Sequence, residues 1–144
     1  MQQDITHLIK LNNKIFRNTQ GYLDKRLKPY ELSSGSYPYL LILSKNEGIS
    51  QNKISKEIGY DKAMSARTIS KLIKLGYLDR KKDDMDSRAN KLYLTSKAKT
   101  IIPNILREIH DLVHLIAEDL NEEEQSITMA SLNKILTNMK KINL

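Results

Sequence analysis

The chain contains no cysteine and no tryptophan, and a single phenylalanine among its 144 residues. Without cysteine there is no disulfide framework, no thiolate zinc site and no thiol redox switch. No apolar run approaches the roughly 20 residues that a membrane span needs. The start, Met1-Gln2-Gln3-Asp4, has neither the basic opening nor the apolar core of a signal peptide. These absences lead us to expect a soluble cytoplasmic protein with no membrane partner. Gly-rich phosphate loops, nucleophile elbows and clusters of acids with histidine are also missing, so no enzyme, no catalytic residue and no cofactor is expected.

What is present is charge, and it is localised. Residues 51–99 carry 13 Lys or Arg against 6 Asp or Glu, whereas residues 1–50 carry 7 against 4 and residues 100–144 carry 4 against 7. The two ends cancel, so the formal excess of +7 sits in the middle third. A basic block between balanced segments is the electrostatic footprint of a polyanion partner.

Apolar spacing supplies the elements. Ile5, Leu8, Ile9, Ile15, Phe16, Tyr22, Leu23 and Leu27 recur at helical intervals and predict a first helix ended by Pro29. A second follows with Pro38 in its first turn and Tyr39, Leu40, Ile42 and Leu43 on its apolar face. Ser50 is a natural N-cap for a third helix stopped by Gly59, and Asp61 for a fourth stopped by Gly76. In that fourth helix Ala63, Ile69, Leu72, Ile73 and Leu75 are expected to face inward. Tyr77–Lys82 and Lys91–Leu94 read as two short strands around the polar tip Asp83-Asp84-Met85-Asp86-Ser87-Arg88. Thr95 can cap a fifth helix, in which Pro103 should produce a kink or mark a late start. Asn121 with Glu124 forms a capping-box start for the last helix.

The fold class is therefore mainly α: a winged helix-turn-helix with a two-stranded β-hairpin wing, at about residues 34–95. Residues 1–30 and 96–144 form terminal helices whose apolar surface exceeds what the small centre can cover. A second copy is expected to cover it, giving a two-fold homodimer across a single 1–144 domain.

This order of elements suits a DNA duplex. If the fourth helix turns Ala63, Ile69 and Leu72 inward, Lys62, Ser65, Arg67, Thr68 and Lys71 are left outside, where arginine can pair with guanine O6 and N7. Ser50, Gln51, Asn52 and Lys53 open the supporting helix, whose free N–H groups suit a phosphate. Arg88 and Lys91 flank the wing tip, and Asp86, two residues from Arg88, is placed to orient its guanidinium for a minor groove.

Asp61-Lys62-Ala63, then Arg67, Leu72, Gly76-Tyr77, Asp86-Ser87-Arg88 and Leu94-Thr95 closely resemble the MarR family of bacterial winged helix-turn-helix transcriptional regulators. The resemblance implies a homodimer on a pseudo-palindromic operator in double-stranded DNA, often a repressor released by a small effector. It matches Arg88 to the wing-tip arginine and Asp86 to its orienting partner. Met64-Ser65-Ala66 departs from the Thr-rich stretch common there, so base specificity does not carry over. Effectors in the family bind between the dimerisation helices and the winged domain, where Phe16, Tyr37 and Tyr39 would suit a small aromatic or amphipathic compound. A zinc-sensing branch resembles the chain at His110 and His114, with Asp24 as a third ligand, but Tyr37-Pro38-Tyr39 stands where its remaining histidine is expected. The alternatives are thus a zinc-responsive regulator of the same family and a helical adaptor that does not read DNA.

Overall fold

The computed structural model describes residues 4–59, 61–82, 85 and 90–142. Among these, six α-helices and one two-stranded sheet follow in the order α1 (His7–Leu27), α2 (Tyr37–Lys45), α3 (Gln51–Ile58), α4 (Lys62–Lys74), β1 (Leu78–Lys82), β2 (Asn90–Leu94), α5 (Ser96–Ile116) and α6 (Glu122–Ile142). The chain divides into two compact units, Met1–Ile109 and His110–Leu144. No helix among the described residues is long and apolar enough to cross a membrane.

Four of the six helix starts, those of α3 to α6, carry side-chain caps. Ser50 takes an extended conformation, and its side chain accepts from Lys53 N at 3.1 Å. Asp61 does the same for Met64 N at 2.7 Å. Thr95 accepts from Ala98 N at 3.2 Å. Asn121 and Glu124 exchange both capping-box bonds, at 2.8 and 3.1 Å. Each satisfies an amide that the helix itself leaves unpaired. At the other ends Gly59 and Gly76 adopt φ of 85° and 83°, a left-handed stop that a side chain would strain. Pro29 ends α1 at Leu27 and gives way to a 3-10 turn, Lys28–Tyr30.

Pro103 behaves otherwise than the late start allowed for it. α5 begins at Ser96 and continues through Pro103, although proline supplies no N–H to the preceding turn. Ala98 and Ile105, on either side of it, are fully buried. Packing across both flanking turns overrides the local cost.

The core of the first unit is built from Leu23 and Leu27 of α1, Tyr39, Leu40 and Leu43 of α2, Ile54 of α3, Ile69 and Leu72 of α4, and Leu78 and Leu92 of the sheet. The strands pair antiparallel in the register Leu78↔Leu94, Arg80↔Leu92 and Lys82↔Asn90, which puts Leu78, Leu92 and Leu94 on one face. The segment from Gly48 to Ser50 makes an isolated bridge to β2. Gly48 N donates to Leu92 O at 2.9 Å, Leu92 N donates to Ile49 O at 3.1 Å, and Ser50 bridges Lys91.

Thr95 joins two elements. Besides capping α5, its hydroxyl donates to Gly76 O at 2.6 Å. Thr95→Ala removes both bonds and is expected to cost about 1–2 kcal/mol, read as a lowered urea midpoint with unchanged slope. An unmoved midpoint would show that water replaces both.

Outside the core, large apolar side chains stay exposed: Ile9, Leu11, Ile15 and Phe16 on α1, and Ile127, Met129, Leu132, Ile135, Leu136 and Met139 on α6. α6 has no buried residue at all.

Candidate nucleic-acid interface

α4 is seated by a stripe of Ser65, Ile69 and Leu72, all at 0% exposure. These lie at i, i+4 and i+7, one face of a helix turning about 100° per residue. Ala63, Arg67, Ser70 and Lys74 fall within about 50° of the opposite direction, and all four are exposed. Lys62, Met64 and Lys71 are exposed on the flanks.

This seating corrects two expectations. Ala63 faces outward, because it stands six residues from Ile69 and so falls on another face. Ser65 faces inward, because it stands four residues from Ile69. The Ser65 hydroxyl is 2.7 Å from the Tyr39 hydroxyl, both side chains being fully buried, so Ser65 reaches no base edge. Thr68 is half-buried, and its hydroxyl donates to Met64 O at 3.1 Å. Lys62, Arg67 and Lys71 are exposed as expected. Ser70 and Lys74 join the outward face without having been singled out from the sequence; the Ile69–Leu72 spacing, extended back to position 65, is the signal that finds them.

On α3, Asn52 and Lys53 are exposed, and Ile54 and Ser55 are buried. Gln51 is half-buried, and its Oε1 has no hydrogen-bond partner among the described residues. The Ser50 side chain is engaged as the cap. In the wing, Arg80, Lys81 and Lys82 are exposed and Lys91 is half-buried. Lys81 Nζ lies 5.0 Å from the centre of the Tyr93 ring, a cation–π contact that leans its stem along the sheet. Asp86 and Arg88 lie outside the described residues.

The base of the wing is tied down on two sides. Glu47 Oε1 accepts from Leu94 N at 3.1 Å and lies 3.7 Å from Lys99 Nζ. Lys97 Nζ donates to Leu75 O at 2.6 Å, where α4 ends, and lies 4.6 Å from the centre of the Tyr77 ring. Tyr77 in turn donates from its hydroxyl to Tyr30 O at 2.6 Å. Burial, with Glu31 nearby, holds this phenol above its ordinary pKa, so the donor proton is kept.

The result is a positively charged helix face beside a hairpin, with the elements behind it hydrogen-bonded to one another. The family model described as MarR family matches residues 30–89, from the 3-10 turn into the hairpin. Over this segment the chain is similar to the MarR family. An HTH-type transcriptional regulator of Clostridioides difficile (strain CD3), BilQ, is 40% identical over 89 residues, or 62% of this chain and 60% of that relative's length. A MarR transcriptional regulator from Methanosarcina mazei Go1 is 28% identical with a TM-score of 0.90, covering 95% of this chain and 99% of its own. A MarR family transcriptional regulator from Listeria monocytogenes, solved with a 26mer DNA, is 25% identical with a TM-score of 0.85, covering 96% and 90%. The shared fold is thus the MarR winged helix-turn-helix.

Two ligand expectations drawn from MarR proteins find less support. Of the aromatic trio, Tyr39 is fully buried with its hydroxyl on Ser65, which removes it from any cleft lining; Phe16 is more than half exposed and Tyr37 half-buried. In the zinc set, Asp24 Oδ1 accepts from Ser34 N at 2.7 Å, while His110 and His114 are exposed. Among the described residues no three His, Cys, Asp or Glu side chains gather closely enough to hold a metal ion.

Proposed function

We propose that this chain is a cytoplasmic, homodimeric, sequence-specific DNA-binding transcriptional regulator, a repressor released by a small amphipathic effector, and not an enzyme. One observation carries the DNA-reading part: the exposed face of α4 presents Lys62, Arg67, Lys71 and Lys74 around a row of short side chains, Ala63 and Ser70. Lysines on the flanks suit phosphates. An arginine flanked by small residues can approach a base edge closely enough for a bidentate bond. Asn52 and Lys53 at the start of α3 add backbone contacts, and Arg88 of the wing, oriented by Asp86, adds a minor-groove contact. The Listeria relative was solved with a 26mer DNA, which supports the same partner here. The exposed apolar residues of α1 and α6 support the dimer. Release by an effector rests on the family resemblance.

The test is fluorescence anisotropy of the full chain on its own upstream intergenic DNA and on scrambled duplex, over a salt series. Selective nanomolar binding is expected, with log K falling against log salt at about 0.9 per neutralised phosphate. Weak binding that does not distinguish the two duplexes would favour an adaptor that uses the winged unit as scaffold.

Arg67→Ala is expected to reduce discrimination between operator and scrambled DNA by roughly 5- to 150-fold per half-site, the equivalent of one bidentate guanine contact. The salt slope should stay nearly constant if that contact is to a base. A loss shared equally by all sequences would reassign Arg67 to a phosphate.

A further inference from the structure

α4 has an inner side of mixed chemistry. Ile69 and Leu72, in its C-terminal half, are held by hydrocarbon contacts. Its N-terminal half, the end that reaches base edges in helix-turn-helix proteins, has Ser65 as its one fully buried side chain: Lys62, Ala63 and Met64 are exposed and Ala66 is half-buried. Ser65 is too short to fill space. It meets Tyr39 of α2 at 2.7 Å, hydroxyl to hydroxyl, and both side chains have 0% exposure. Tyr39 lies on the buried side of α2 with Leu40 and Leu43, which are equally buried.

We propose that the Tyr39–Ser65 hydroxyl pair is a pin that sets the rotation of α4 about its own axis, and that these two buried groups thereby determine which base edges the exposed side chains reach. The inference rests on the DNA-reading function proposed above. Hydrocarbon contact changes little as a helix rolls, whereas a hydrogen bond weakens steeply with angle and distance. With side chains about 5–6 Å from the axis, a roll of about 20° moves them by about 2 Å. That displacement breaks a 2.7 Å contact at Ser65. It moves Arg67, about 160° round the helix, by a similar amount on the far side, which is too far to keep a bidentate bond to one guanine. A pair of buried hydroxyls adds little net stability over an apolar pair of the same shape. Its distinctive contribution is direction. Tyr39 and Ser65 are positioning residues that touch no DNA.

The experiment compares the full-length parent with Tyr39→Phe and with the double variant Tyr39→Phe/Ser65→Ala, which removes both hydroxyls. A preferred duplex is first selected from a random pool with the parent protein. Affinity for that duplex and for scrambled DNA is then measured, along with the urea midpoint. The double variant is expected to keep the parent's midpoint and its affinity for scrambled DNA, while its selectivity ratio falls about tenfold. Reselection with the double variant should yield a broader consensus. Tyr39→Phe alone should lose selectivity in the same direction, and it supplies the result if the double variant fails to fold. An unchanged ratio in a folded variant overturns the pin, as does equal loss on both duplexes, which would mark a purely structural contact. A parent that selects no duplex overturns the DNA-reading function itself, and the pin with it.

Discussion

Aspartate at both Leu132 and Leu136 is expected to leave a folded monomer that has lost most of its operator affinity. These residues are 48% and 52% exposed, on the α6 stripe shared with Ile135 and Met139. A helix that buries nothing within its own chain yet carries a continuous apolar stripe is covered by a second copy in the proposed dimer. Two carboxylates per chain placed in that seam must be desolvated without partners, which association cannot repay. Sedimentation at micromolar concentration should show the mass of the variant halve while helical circular dichroism persists. Operator affinity should fall by roughly 10²–10⁴, because two linked half-site contacts become independent ones. If the variant stays dimeric, the seam lies elsewhere; if the parent is monomeric, the two-fold reading fails.

Leu72→Ala should be the most damaging single substitution in α4. Leu72 is fully buried on the stripe that seats the helix, so truncation removes its transfer energy and leaves a void, at a cost of about 2–5 kcal/mol. A domain of this size has about 5–15 kcal/mol in total, so a large share of its stability goes with one side chain. Urea denaturation should show a much lower midpoint, and DNA binding should weaken at 37 °C more than at 10 °C as the unfolded fraction grows. A loss below about 1 kcal/mol would mean that the surrounding helices close over the gap.

Where structure depends on neighbours a few residues apart, the sequence was readable. The caps at Ser50, Asp61, Thr95 and Asn121 each bond an amide three residues on, and each stands where its residue type foretold. The strands, Leu78–Lys82 and Asn90–Leu94, start within a residue of the positions expected from alternation. The face of α4 was misjudged at Ala63 and Ser65 for a physical reason. Alanine fits either side of a helix and serine reads as polar, so residue type pointed away from the spacing set by Ile69 and Leu72. What makes a buried serine tolerable is Tyr39, 26 residues earlier and on another helix, and no local pattern announces such a partner. Pro103 was legible in part: it lies inside the fifth helix as read, while the late start allowed for it does not occur. Its local cost was visible, but the burial of Ala98 and Ile105 that absorbs it was not.

The segment from Gly48 to Ser50 leaves no slack in the chain. Its backbone pairs with β2 while the Ser50 side chain starts α3, so sheet register and helix start share one set of atoms. Inserting a single residue there must either strip the cap or slip β2 by one place, which would turn Leu92 out of the core. The outer face of α4 can therefore take new side chains without disturbing the fold, whereas the length of this junction cannot change. A chimera that transplants Lys62–Lys74 between relatives should keep its wing in place, whereas one spliced at residues 48–50 should lose both elements at once.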